Sequence, residues 1–129
     1  MNYLRLSVLL VFLTAFFNLN AQWVKTNGPV GGNVRSIVYS QGELYAATSG
    51  NGIFISKDNG QTWEKTYKWT DPDRQREPMY IFALASVDST LFLGSDGDGI
   101  FLSRDKGLHW TFSALPRNHV WDLLTVGDT

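Results

Sequence analysis

The chain has 129 residues and a mass of 14.5 kDa, and its 11 Lys+Arg nearly cancel its 12 Asp+Glu for a formal net charge of −1. That is one ordinary domain, and so even a balance argues against a nucleic-acid-binding stripe or a polybasic membrane patch. The absence of cysteine excludes disulfide scaffolds, thiolate zinc sites, cysteine nucleophiles and lipid attachment through an N-terminal Cys, and 43% hydrophobic against 18% charged residues excludes disorder by composition.

Residues 1–21 read as a secretory signal peptide: Arg5 supplies the positive start, Leu6 to Phe17 is an almost unbroken apolar run, and Asn18-Leu19-Asn20-Ala21 is polar and ends on a small residue. Cleavage is expected after Ala21, since the apolar run falls well short of the ~20 residues a spanning helix needs. The exported chain then starts at Gln22 without a membrane span, and its formal charge is 10 minus 12, or −2. With no Asn-x-Ser/Thr sequon and no cysteine, a bacterial envelope, as a secreted or periplasmic protein, is the expected location.

Beyond Gln22 the sequence repeats. Trp23-Val24-Lys25-Thr26 matches Trp63-Glu64-Lys65-Thr66, so 22–27 reads as the outer strand of a unit. Residues 33–63 align with 80–110 without a gap at an offset of 47, with identities at Leu44/Leu91, Gly50/Gly97, Gly52/Gly99, Ile53/Ile100, Phe54/Phe101, Ser56/Ser103, Asp58/Asp105, Gly60/Gly107 and Trp63/Trp110. Within the first unit, Val34–Tyr39, Leu44–Thr48, Ile53–Ser56 and Thr62–Tyr67 read as strands, separated by Gln41-Gly42, Gly50-Asn51-Gly52 and Asp58-Asn59-Gly60 turns. The second unit covers 80–113, and 119–129 repeats the start of a third, with Val120–Val126 expected as its first strand. A four-stranded meander repeated about every 40 residues predicts an all-β chain of β-propeller blades.

Ser56-Lys57-Asp58-Asn59-Gly60-Gln61-Thr62-Trp63 and Ser103-Arg104-Asp105-Lys106-Gly107-Leu108-His109-Trp110 resemble the Asp-box of BNR-repeat β-propellers, with His109 where Thr is usual. The resemblance covers 22–129 and implies blades at 33–67 and 80–113, flanked by the outer strand 22–27 and the start of a next blade at 119–129. Families with such boxes include sialidases, xyloglucan-type endoglucanases, sortilin-type receptors and photosystem assembly factors, so the resemblance implies a fold more than an activity. Ser56, Asp58, Gly60, Trp63, Ser103, Asp105, Gly107 and Trp110 are expected to be structural, because the Asp and Ser side chains can satisfy their own turn and the Trp can cover it.

Catalytic motifs are missing. Arg35 is followed by Ser36-Ile37, so the sialidase R-I-P motif is absent, and Ser49 stands where the endoglucanase-like pattern carries an acid. Asp96 and Asp98 offer a carboxylate pair that suits glycoside acid–base work or Ca²⁺, though a polar Gly/Asp turn accounts for them as well. His109 and His119 form no metal-ligand spacing. The irregular stretch 64–79 holds Trp69 and Arg74 among mixed charges, and these join Asp96 and Asp98 as candidate ligand-binding residues. No catalytic residue, metal or cofactor is expected. The reading is an N-terminal portion of a secreted or periplasmic propeller acting as a non-catalytic binding or assembly scaffold for a protein or carbohydrate; the alternative is the N-terminal part of a sialidase- or xyloglucanase-like glycoside hydrolase completed by other blades. Two blades cannot close a ring that takes typically 4–8, so further blades are expected in cis or by self-association.

Overall fold

The computed structural model describes residues 24–66, 78 and 80–126. Eight strands follow in order: β1 (Asn33–Ser40), β2 (Glu43–Ser49), β3 (Gly52–Ser56), β4 (Glu64–Lys65), β5 (Ile81–Val87), β6 (Thr90–Ser95), β7 (Gly99–Ser103) and β8 (Thr111–Ala114). They form two antiparallel four-stranded meanders, β1-β2-β3-β4 and β5-β6-β7-β8, and there is no helix among the described residues. Turn chemistry explains the meander. Ser40 and Glu43 flank a two-residue loop whose Gln41 and Gly42 both have positive φ, at 52° and 85°, the twist that suits a tight hairpin. Gly60 and Gly107, at φ 86° and 78°, follow Asn59 and Lys106, at 56° and 60°, so both long hairpins turn through two consecutive left-handed residues.

The strands alternate, and the register sorts their faces. One face of the first sheet carries Val38, Tyr45, Ala47, Ile53 and Ile55; it packs on the face of the second sheet that carries Leu84, Leu91, Leu93 and Phe101, with Ile81, Trp110 and Phe112 completing the core. The Ser36 hydroxyl accepts from Leu84 N at 3.1 Å and Gln41 Nε2 donates to Ser89 O at 3.0 Å, pinning the sheets at two levels. Shifted by 47 residues, the second sheet's mating face has its equivalent on the first sheet: Ile37, Leu44, Ala46 and Phe54 correspond to Leu84, Leu91, Leu93 and Phe101, and of these four Ala46 and Phe54 are buried while Ile37 is exposed. Ile37 and, on the same face, Tyr39 are 58% and 63% exposed, and no further sheet among the described residues lies on that face as the first sheet lies on the second.

Two expected elements differ. No strand forms over Val120–Val126; Val120 donates from its N to Ser95 O at 2.9 Å, and no further strand among the described residues pairs with the segment. Val120 seats where a Cβ on Gly94 would come within 2.6 Å of its Cγ1, so the missing side chain makes room for it. Of the stretch 22–27, residues 24–26 form no strand, and Asn27 makes a parallel bridge to Thr62, donating to Gln61 O at 3.2 Å. The signal-peptide reading at 1–21 lies outside the described residues.

Candidate functional site

The two box turns are built on the same hydrogen-bond pattern. Ser56 Oγ donates to Asp58 Oδ1 at 2.8 Å and accepts from Gly60 N at 2.8 Å; Asp58 in turn accepts from Thr62 N at 2.8 Å and Thr62 Oγ1 at 2.5 Å. In the second turn Ser103 Oγ donates to Asp105 at 2.8 Å and accepts from Gly107 N at 2.9 Å, His109 N donates to Asp105 Oδ1 at 2.9 Å, and the His109 ring meets Asp105 Oδ2. His109 thus takes the place of the Thr62 hydroxyl. Trp63 and Trp110 each donate from Nε1 to the carbonyl of the turn glycine, at 3.1 and 3.0 Å. Hydrogen bonds from Thr62 and Ser56 hold the Asp58 carboxyl down at about 2. For Asp105 burial pushes upward, but the bonds from His109 and Ser103 outweigh it and leave the carboxyl below its ordinary value. Both carboxylates are therefore ionised acceptors inside their own loops, unsuited to donating a proton near neutral pH.

The two tryptophans are not equivalent in packing. Trp110 is 3% exposed within the core between the sheets, whereas Trp63 is half-buried and lies outside that core. Between the hairpins lies a cleft of about 440 Å³ lined by Glu43, Lys57, Glu64, Lys65, Lys106 and apolar Ile55 and Leu108. Its charges pair internally, Lys57 with Glu64 at 2.6 Å and Lys106 with Glu43 at 3.6 Å, and Glu43 also accepts from the Tyr45 hydroxyl at 2.8 Å. Burial, with Glu43 beside it, pushes the Tyr45 phenol well above its ordinary value.

A different cluster forms at the end of the sheets that carries the β2–β3 and β6–β7 turns. In β1 the pairing skips from Val34↔Thr48 to Ser36↔Ala47, and in β5 from Ile81↔Ser95 to Ala83↔Gly94. Arg35 and Phe82 are the extra residues of these two bulges, and they stand 47 positions apart, at the same place in each repeat. A bulge re-aims the side chain it frees. The Arg35 guanidinium lies over the Phe82 ring at 5.4 Å, and Phe82 packs against Trp121 at 4.7 Å between centroids. Trp121 is the counterpart of Phe82 in the third, partial repeat, as the match of 120–129 to 81–90 requires. The Trp121 ring stacks on His119 at 6.0 Å and 13°, and the His119 Nδ1 meets Asp96 Oδ1.

Of the candidate ligand-binding residues, Asp96 therefore joins a continuous stack, Arg35–Phe82–Trp121–His119–Asp96, and Asp98 lies two residues on in the same turn. Trp69 and Arg74 lie outside the described residues. Sequence reading missed Arg35, Phe82, Trp121 and His119 as a group. The available signal was that the first three share one column of the repeat alignment and fill it with residues capable of recognition. Among the described residues no group of three His, Cys, Asp or Glu side chains is placed to hold a metal ion, and no helix is long and apolar enough to cross a membrane.

No protein-family model matches the chain, and no curated protein does. Among solved structures, the chain is similar to an ancestral GH74 enzyme at 20% sequence identity and a TM-score of 0.49, over 68% of this chain and 12% of that one. The chain thus matches 12% of the length of that enzyme's structure.

Proposed function

We propose that the chain is part of an exported β-propeller that serves as a binding or assembly scaffold and has no catalysis of its own. The observation that carries this reading is the repeated pair of mating faces. A sheet that receives one neighbour on one face and offers the equivalent of that neighbour's face on the other belongs to an extensible series, and a ring leaves no face bare. Further sheets of the same repeat, in cis or from other copies, then cover Ile37 and Tyr39. The absence of catalysis is supported by Asp58 and Asp105 being engaged within their own turns. A protein or carbohydrate partner meets the end that carries the bulges and the 96–98 turn, with Trp69 and Arg74 of the 67–79 connection as further candidate contacts. Export rests on the Arg5, apolar-run and Ala21 arrangement.

The alternative, the N-terminal part of a sialidase- or xyloglucanase-like hydrolase, has one observation in its favour: the Asp96 carboxylate sits at this end beside His119, with Asp98 close in sequence. The test is incubation of the full chain with xyloglucan and with a sialylated oligosaccharide, followed by assay for new reducing ends and free sialic acid. The scaffold reading expects neither. Release that Asp96→Asn abolishes would overturn it in favour of the hydrolase.

A further inference from the structure

The stack at the bulged end has a direction. Arg35 stands at one end, exposed, its guanidinium carbon 5.4 Å from the centre of the Phe82 ring. A guanidinium over a ring is held by cation–π attraction, and its fork of N–H donors matches a carboxylate in a bidentate pair. No ion pair involves Arg35 among the described residues, so the fork is available there. The middle of the stack is aromatic, and Trp121 is 64% exposed although packed on both Phe82 and His119. Held rings of this kind present a preorganised apolar surface that loses little freedom on binding. At the far end Asp96, tied to His119, supplies acceptor oxygens for hydroxyl groups.

A carboxylate fork, an exposed aromatic surface and a hydroxyl acceptor in that order fit one ligand chemistry. We propose that this stack recognises an acidic polysaccharide, one built of pyranose rings that carry carboxylates. The ligand's carboxylate pairs with Arg35, the C–H face of a sugar ring lies against Phe82 and Trp121, and hydroxyls reach Asp96. The acid Asp96 stands at the opposite end from Arg35, which keeps the ligand's charge to one end of the stack. An acidic peptide satisfies Arg35 but leaves the ring face and the hydroxyl acceptor without a match. The inference rests on the binding-scaffold reading and assigns that scaffold's ligand class.

The experiment is calorimetric titration of the full chain, at low salt, with three probes: hexagalacturonate, cellohexaose and an oligoglutamate of similar charge. The expected result is binding of hexagalacturonate about tenfold or more tighter than either of the others. Arg35→Gln should weaken it about tenfold, the effect of losing one charge-assisted pair, with an unchanged melting curve. Trp121→Ala should weaken it too, and Trp121→Phe should restore most of the affinity; if the Ala variant does not fold, Arg35→Gln carries the test. No binding of hexagalacturonate, equal binding of oligoglutamate, or an Arg35→Gln variant that binds as well as the parent would overturn the proposal. The two readings fail separately. New reducing ends from hexagalacturonate would end the non-catalytic scaffold while leaving the ligand class, and a peptide bound in its place would end the ligand class while leaving the scaffold.

Discussion

Trp63 and Trp110 occupy the same position in two copies of one turn and donate the same hydrogen bond to the same glycine carbonyl, at 3.1 and 3.0 Å. Truncating each to Ala therefore removes an identical local contact, and the difference between the two variants isolates burial. A fully buried Trp withdraws about 150–250 Å² from water, worth roughly 4–6 kcal/mol at ~25 cal/mol per Å². Trp→Ala in cores typically costs about 3–5 kcal/mol. Trp110, 3% exposed in the core between the sheets, should show that full cost. Trp63 is half-buried and should lose about half as much, roughly 2 kcal/mol, which is less than an expectation of equivalent burial from sequence. The assay is urea unfolding of both variants beside the parent, followed by circular dichroism so that loss of a Trp does not bias the signal. The expected difference of about 2 kcal/mol corresponds to a melting-point gap on the order of 10 °C for a domain of this size. Equal costs, or a larger cost at Trp63, would refute the assignment of Trp110 to the core between the sheets and of Trp63 outside it.

Other outcomes follow from the same geometry. The Asp58 carboxyl is held at about 2, below its unfolded value of roughly 3.9. Its contribution is therefore fully present above about pH 4 and lost as pH falls through 2; Asp58→Asn should flatten the dependence of the urea midpoint on pH in that window, and an unaltered slope would contradict the turn's hydrogen bonding. Gly94→Val should displace Val120, since the new Cβ would lie 2.6 Å from its Cγ1, and faster amide exchange at Val120 N without loss of the β5–β8 sheet would register it. Exported material should begin at Gln22 by intact mass, and a mass that retains 1–21 would sink the signal-peptide reading.

The meanders were legible because every hairpin is punctuated by its own turn residues and because two copies of the pattern check each other. The alternation of Leu44, Ala46 and Thr48 against Tyr45 and Ala47 could be read directly; the interruption at Arg35 could not, since a bulge is a property of pairing and only the register with Thr48 and Ala47 exposes it. For the same reason the stack stayed hidden. In sequence Arg35 resembles part of a motif it does not complete and His119 has no metal-ligand spacing, while Phe82 and Asp96, which they meet, lie elsewhere in the chain. Trp63 and Trp110 looked interchangeable because a repeat alignment describes each unit alone, and burial depends on which neighbour is present. The expected strand at 120–126 illustrates the same limit: a sequence with strand character stays unpaired beyond Val120 when no strand lies beside it.

The central claim is that each sheet is one member of a series, with Ile37 and Tyr39 of the first sheet's mating face exposed on this chain. Its most direct test is the molar mass of residues 22–129 in solution by size-exclusion chromatography with light scattering, across a dilution series. Exposed Ile37 and Tyr39 predict a mass above that of the monomer at micromolar concentration, lowered by Ile37→Lys, which places a charge on the open face. A stable monomer at every dilution, with a single cooperative melt, would contradict the account and make the two sheets a self-contained fold.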